Sequence, residues 1–379
     1  MTVNSACGIS KCPTVAAGVF ARDVEIDAVN EASRPTIQSI AQLAGVSTAT
    51  VDRVLNNRGG VSEKTVSRVA AAAEELNRNG PASDAVYDVI LPRDSGFSTK
   101  YLGAAFQYHA AKRGVRLRHT LVERLHPQSL AAELYRCERE GSHGVAFQAL
   151  EDPIVREAAA SLSNRKIPIA TVCSDLPGMG FGYVGLDNRA AGRAAGYMMG
   201  LLCGGKGPVA IIWGGNLYRS HEEREAGARS FLRAEYPNIE IVDIEYNHND
   251  LEANKRFLSL LTKERTFSGI YCVGGEIIDA VKALDSRRQS APIVVVGHNL
   301  TENTTNFLMR RQVDAIIHQD MLAIAGKSLD FMLAGYGRIR VPSAEIPIEI
   351  ITRENLSHHL ELDQIRPFVE YDSDVRAAV

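Results

Sequence analysis

The sequence predicts an α/β protein in two parts: an N-terminal three-helix headpiece with a helix-turn-helix, then a larger two-lobed domain of parallel sheets. Three observations predict it. Residues 34–78 carry short helical periods broken by one tight turn. From Val86 onward, apolar runs of strand length alternate with longer amphipathic stretches, the pattern of a parallel sheet covered by helices on both faces. The alternation runs too long for one small sheet, so two similar lobes are the natural packing.

The elements follow in order along 379 residues, of which 45% are hydrophobic and 23% charged, an ordinary globular composition with ample material for real cores. Residues 1–33 show no sustained period and are expected to form a poorly ordered extension. Residues 34–78 form the helix-turn-helix, and 79–85 (NGPASDA) a breaker-rich linker. The two-lobed domain occupies 86–351, and a polar tail 352–379. Within the large domain the expected strands are Val86–Leu91, Gly144–Phe147, Pro168–Val172, Val209–Trp213, Gly269–Val273 and Ile293–Val296, with Glu345–Ile350 as a final edge strand. The expected helices include Leu102–Lys112, Ala190–Leu202, Glu222–Leu232 and Asp320–Leu333.

Composition also excludes. The net charge of −3 is no basic sponge, so nucleic-acid binding requires a local feature. Six cysteines are scattered without metal spacing, and Cys7 and Cys12 read as unpaired thiols in the extension rather than half a metal site. No apolar run spans a bilayer, and the first eleven residues lack the basic start and apolar core of a secretory signal. Cytoplasmic residence with no membrane partner is therefore expected. Glycine clusters occur, but none is G-x-G-x-x-G after a strand and none is a P-loop. No Ser-His-Asp or metal constellation assembles, so no enzymatic activity, cofactor or metal is expected.

In the headpiece, Thr36 is a good N-cap, with Ile37, Ile40, Ala41 and Ala44 on one face. Gly45 supplies the freedom for a tight turn, and Val46 plugs the angle between helices. Ser47 caps a second helix with Val51, Val54 and Leu55 as its apolar positions. Ser62 caps a third, with Val66, Val69 and Leu76 inward and Glu63 in the first turn. This is the architecture that sets one helix into the major groove of DNA.

The stretches TIQSIAQLAGVSTATVDRVLNN and VSEKTVSRVAAAAEELN resemble the DNA-binding headpiece of the lactose repressor (LacI) family. The resemblance implies operator DNA as a partner, with Thr48, Ala49 and Arg53 at base-reading positions and Ser47, Thr50 and Asn56 at phosphate-contacting ones. Arg53 would donate two hydrogen bonds to guanine, and Thr48 and Ala49 would offer methyl contact to thymine. Six basic residues face four acids between Arg34 and Arg78, a modest surplus, so binding should need a homodimer. Two departures stand out. Asp52 replaces the family's usual Ser and either disturbs a phosphate-facing surface or orients Arg53 or Arg58. The connection Arg78–Ala85 is short and lacks the Leu with which a hinge helix wedges the minor groove.

From Val86 to about Ile350 the chain resembles the periplasmic sugar-binding-protein fold that forms the core of such regulators. That implies a transcriptional regulator, of the repressor kind, controlled by a small-molecule effector, a sugar or polyol, in the cleft between lobes. In such folds ligands sit at the carboxyl ends of the strands. Asp94, Ser95, Phe97 and Tyr101 follow the first strand; Phe97 either stacks on a sugar face or packs into the core. Gln148 follows the next, and Asp152 reads as a helix cap. Asp175 sits in a pattern resembling the SDxP of sugar binders. The segment Tyr183–Gly200 is rich in small residues that suit close helix packing, and Asp187 reads as its cap. Arg224, three residues before Gly227, either grips ligand hydroxyls by its planar fork or forms a surface salt bridge with Glu222 or Glu225. Glu276 and Asn299 follow later strands, and Asn299 stands where relatives often carry a carboxylate. His298 reads as a packed histidine. Gln319 and Asp320 match a crossover position that contacts effectors in the family. Phe97, Asp175, Arg224, Asn299 and Gln319 are thus the expected effector-binding set.

Overall fold

The computed structural model describes residues 37–56, 58, 60–78, 85–93, 95–179, 181–214, 217–246, 266–275, 277–285, 293–335, 344–358 and 368. The expected extension 1–33, the cap Thr36, nearly all of the linker, Asp94, Glu276 and most of the tail lie outside them.

The headpiece consists of α1 (Ile37–Ala44), α2 (Thr48–Leu55) and α3 (Glu63–Arg78). Gly45 turns the chain between α1 and α2 at φ 62°, a left-handed conformation that glycine adopts without strain. The Ser47 hydroxyl accepts from the Thr50 N–H at 3.2 Å, and that of Ser62 from the Thr65 N–H at 3.3 Å, so both expected caps form. Ile40, Ala41, Ala44, Val51, Val69 and Ala72 make a small core, sealed by Val46 and Val54. Three expected core positions differ: Ile37 and Val66 are each 40% exposed and Leu55 51%. Two-turn helices crossing one another bury only a narrow stripe, and residues at their ends escape it.

The large domain is two six-stranded sheets. The first has order β11-β5-β4-β3-β1-β2, built from β1 (Val86–Pro92), β2 (Arg116–Val122), β3 (Val145–Phe147), β4 (Ile169–Val172), β5 (Gly182–Gly185) and β11 (Ala344–Glu345), all parallel. The second has order β12-β10-β9-β8-β6-β7, from β6 (Pro208–Trp213), β7 (Glu240–Glu245), β8 (Gly269–Cys272), β9 (Val294–His298), β10 (Ala315–His318) and β12 (Glu349–Ile351). Only β12 runs antiparallel, against β10.

Helices α4 (Phe97–Arg113), α5 (Pro127–Arg139) and α6 (Pro153–Asn164) alternate with the first strands. Helices α7 (Asn188–Leu202), α8 (Arg219–Glu235), α9 (Ile277–Asp285) and α10 (Glu302–Met309) follow. The last, α11 (Met321–Ala334), starts from β10 in the second lobe yet packs on β3, β4, β5 and α4 of the first. Between the two sheets the described chain crosses before α7, at the start of α11, and between β11 and β12. The single edge strand expected over Glu345–Ile350 is therefore two strands in different sheets. Pro347 breaks the run, having no N–H for a ladder.

Helices α7 and α8 pack with their backbones almost touching. A Cβ added at Gly192 would fall on the carbonyl oxygen of Arg224, and one at Gly196 would lie 2.9 Å from that of Ala228. These glycines are four residues apart, on one helix face. The groove they leave admits α8 and fixes where Arg224 stands.

Candidate functional sites

On the headpiece, Ser47, Thr48, Ala49, Arg53 and Asn56 are exposed and Thr50 is half-buried. Ala49 and Arg53, four apart, share one face of α2. Asp52 resolves the question left by the sequence: its carboxylate accepts from the Arg58 guanidinium at 3.1 Å and from the Asn56 amide at 2.7 Å. Asn56 also donates to the Asp52 carbonyl at 3.0 Å, so both its amide hydrogens point back along the helix. A phosphate would have to displace Asp52 to reach them.

In the large domain a cavity of about 270 Å³ opens between the lobes, at the carboxyl ends of the strands. That is just below the roughly 300–1,000 Å³ usual for small-molecule sites and suits a small ligand. The first lobe contributes Ser95, Thr99, Arg124 and Gln148, and the second Arg224, Asp279, Asn299 and Gln319. Three of the five expected effector residues, Arg224, Asn299 and Gln319, thus share one wall.

Arg224 is 3% exposed, which removes the surface-salt-bridge alternative; Glu225 pairs with Arg229 instead. Its Nε donates to Asn188 Oδ1 at 2.8 Å and one terminal nitrogen to the Val273 carbonyl at 3.2 Å. Asn188, 3% exposed, is itself tied down, its Nδ2 donating to the Tyr183 hydroxyl at 2.9 Å and the Cys173 carbonyl at 3.3 Å. Gln319 donates to Asn299 Oδ1 at 3.0 Å, while its own Oε1, on a side chain 2% exposed, has no hydrogen-bond partner among the described residues. Asn299 has φ 66° and Cys173, also on the cavity wall, φ 61°. Such conformations are uncommon outside glycine and concentrate at ligand-binding positions.

Phe97 and Asp175 stand apart from the cavity. Phe97 is the first residue of α4, and its ring packs on the main core with Lys100 5.4 Å from its centroid. Ser98 and Thr99 line the cavity in its place, because each helical step turns the side chain by about 100°. The Asp175 carboxylate accepts from the Thr171 hydroxyl at 2.9 Å and the Leu176 N–H at 2.7 Å, closing the loop after β4. The left-handed turn at Cys173 points that residue, not Asp175, at the cleft. Asp152, Asp187 and Asp320 are helix caps, accepting from the N–H groups of Ile154, Ala190 and Ala323.

His298 is a packed histidine: Nε2 lies 2.7 Å from the Tyr271 hydroxyl, and burial, with Arg224 and His221 nearby, keeps its pKa well below the usual value. Burial pushes the Cys173 thiol up to about 12, so it stays protonated and unreactive.

Of the lining residues that the sequence did not single out, two carry most of the consequence. Tyr218, at the N-cap of α8, is buried in the hydrophobic cluster of the first lobe, so one lobe's chain is keyed into the other. Arg124 follows β2, a strand whose charges hide it. Leu125 beside it has φ 54°, a left-handed conformation that is unusual for a bulky residue.

Residues 36–78 match the family of bacterial regulatory proteins of the lacI type, and residues 139–334, which carry most of the cavity wall, match the periplasmic binding protein domain. The chain joins a lacI-family DNA-binding domain to a periplasmic binding protein domain. Its headpiece is 52% identical over 48 residues to the HTH-type transcriptional regulator TreR of Salmonella typhimurium, a match spanning 13% of this chain and 14% of that protein. The large domain is similar in fold to a putative LacI transcriptional regulator from Bacteroides fragilis, with TM-score 0.66 and 17% identity over 73% of this chain and 99% of the other. It is equally similar to a solute-binding protein of an ABC transporter from Burkholderia graminis solved in complex with D-arabinose, with TM-score 0.67 and 21% identity over 73% and 99%. A periplasmic solute-binding protein from Actinobacillus succinogenes with bound D-allose matches at TM-score 0.64 and 18% identity over 73% and 100%. Among the described residues no helix is long and apolar enough to cross a membrane.

Proposed function

We propose that this lacI-family chain is a cytoplasmic homodimeric repressor whose α2 reads operator DNA, and that a sugar or polyol bound between the lobes controls that reading. The observation that carries the effector half is the wall formed by Arg224, Asn299 and Gln319. Arg224 offers charged donors, and the buried Gln319 Oε1 needs a donor of its own. Hydroxyl groups, which donate and accept at once, satisfy both kinds of group. The folds that bind D-arabinose and D-allose support a polyhydroxylated ligand. In the DNA half, Arg53 reads a base, Thr48 and Ala49 contact neighbouring bases, and Ser47 and Thr50 hold phosphates.

Residues of both lobes line the cavity, so a ligand bridging them favours one lobe arrangement. If DNA favours the other, each ligand weakens the other by the same factor. A coupling of roughly 1–3 kcal/mol changes operator affinity about 5–150-fold. The test is titration of the DNA upstream of the chain's own gene, with and without a compound that raises the melting temperature in a screen of sugars and polyols. Specific binding that the compound shifts supports the reading. No specific binding defeats the DNA half, and specific binding that no stabilising compound shifts defeats the control.

A further inference from the structure

The cavity carries more positive charge than a neutral sugar can use. Arg124 enters it from the first lobe and Arg224 from the second. Both guanidiniums are permanently charged. Among the described lining residues the one carboxylate is Asp279, and it is already served: the Tyr246 hydroxyl donates to it, and Lys282 lies 4.0 Å away. The Nε of Arg124 is buried without a hydrogen-bond partner among the described residues. Two helices add to the field. The segments Gly96–Thr99 and Tyr218–His221, at the starts of α4 and α8, border the cavity, and neither helix has a side-chain cap. At α8 the Ser220 N–H already donates to the Ser174 hydroxyl at 3.5 Å and the His221 N–H to the Tyr218 carbonyl at 2.9 Å, so what these helix starts add is the field of their dipoles, which favours negative charge.

We propose that the effector is a polyhydroxylated anion, a sugar acid or sugar phosphate, whose charged group is held between Arg124 and Arg224. The proposal rests on the reading of this cavity as the effector site and narrows its ligand. A neutral polyol returns no counter-charge to Arg224, which is already buried, or to Arg124, which lobe closure would strip of water. A carboxylate or phosphate returns it, and guanidinium forks match the geometry of both. Because the two arginines come from different lobes, one anion would also draw the lobes together. The unpartnered Gln319 Oε1 calls for a hydroxyl donor, which keeps the polyol part of the ligand.

The test is calorimetry on the full chain with matched pairs: five- and six-carbon aldonic acids, uronic acids and sugar phosphates, each beside its neutral alditol or free sugar. Inorganic phosphate and acetate serve as bare anions. We expect an anionic member to bind, its neutral counterpart to bind about 10- to 150-fold more weakly, the range of lost charge-assisted hydrogen bonds, and affinity to fall with added salt. Arg124→Gln should bring the anion's affinity down to that of its neutral counterpart, and Arg124→Lys should restore part of it. If Arg124→Gln does not fold, the salt dependence and the matched pairs on the wild-type chain still decide. Binding of a neutral polyol as tightly as its anionic partner overturns the proposal while the sugar-effector reading stands. Binding of bare anions alone sinks the polyol reading and leaves the anion site. A panel in which nothing binds overturns both.

Discussion

Asn188 is where packing and recognition meet, and its removal makes the sharpest test of the site. Its Oδ1 accepts from the Arg224 guanidinium at 2.8 Å, and its Nδ2 donates to the Tyr183 hydroxyl at 2.9 Å; its contacts with the Cys173 and Leu186 carbonyls, at 3.3 and 3.4 Å, are longer and weaker. Asn188→Ala strands a charged donor in a buried place. The charged bond is worth about 1.5–3 kcal/mol and the neutral one about 0.5–1.5, so the loss should be roughly 2–4.5 kcal/mol. A domain of this size loses about 2–4 °C of melting temperature per kcal/mol, which gives a fall of roughly 4–18 °C. The orientation of Arg224 is lost as well, so effector affinity should drop about tenfold or more. The neighbouring Asp187→Ala is the control. Asp187 is an exposed cap bonded to the Ala190 N–H at 2.9 Å, so its loss costs about 1 kcal/mol and should leave effector affinity alone. Thermal melts and calorimetry on both variants check this. An Asn188→Ala protein that melts early yet keeps wild-type affinity would refute the claim that Asn188 positions Arg224.

Other consequences can be checked independently. Arg53→Ala should cost about 1–3 kcal/mol in operator binding and relax specificity at one position per half-site; equal weakening on all DNA sequences would make Arg53 a phosphate contact. Arg78–Ala85 has no Leu to wedge the minor groove, so circular-permutation assays should show little DNA bending, and a strong kink at the dyad would contradict this. Gly192→Ala sets a Cβ against the backbone of Arg224, which cannot swing away; it should cost about 1–3 kcal/mol and blunt effector binding, read by melting and calorimetry. Burial holds the His318 imidazole down at about 4, against the pull of Glu349 and Asp320, and its Nδ1 accepts from the Leu300 N–H. Below pH 6.5 the unfolded chain takes up a proton that the folded chain refuses until about pH 4, so stability falls with pH across that window. Roughly 2 kcal/mol of it should go between pH 7.5 and 5, and urea melts with a flat pH profile would contradict the assignment.

The central strands were legible because a strand buried on both faces is a continuous apolar run, as in the VILP of β1 and the VAIIW of β6. The edges were not. β2 (RLRHTLV) and β7 (EIVDIE) lie at the margins of their sheets, where charged side chains reach water and break the pattern. β5 (GYVG) and β10 (AIIH) were missed as well, and length is not the reason, since β3, β4 and β8 are no longer. The loss of β2 had a cost at the site. Arg124 lies just past its end, so a reader who had placed that strand would have found the second arginine by the same rule that found Asn299.

The site residues divide along the same physical line. Asn299 and Gln319 reach the cavity wall because each follows a strand at the carboxyl edge of a sheet, which local sequence can locate, whereas Arg224, in the second turn of α8, was picked out by its resemblance to the family's arginine position. Phe97 and Asp175 satisfy that rule equally well and still face elsewhere, because the last step is a matter of single dihedrals: a helical turn at Phe97, a left-handed residue at Cys173. No periodicity encodes those. Asn188 shows a third case. Its neighbour Asp187 carries the visible signal, a helix cap, while Asn188 matters only because Gly192 and Gly196 let α8 come close enough for Arg224 to reach it. The glycines, the asparagine and the arginine are one device: the first two set the distance, the third sets the direction, and the fourth reaches the cavity wall. In the sequence the small residues of α7 read as close packing and Arg224 as a ligand contact, with nothing to join them across 36 residues of chain. What joins them is the near-contact of two helix backbones, so a substitution that changes only packing on α7 should be felt at the cleft.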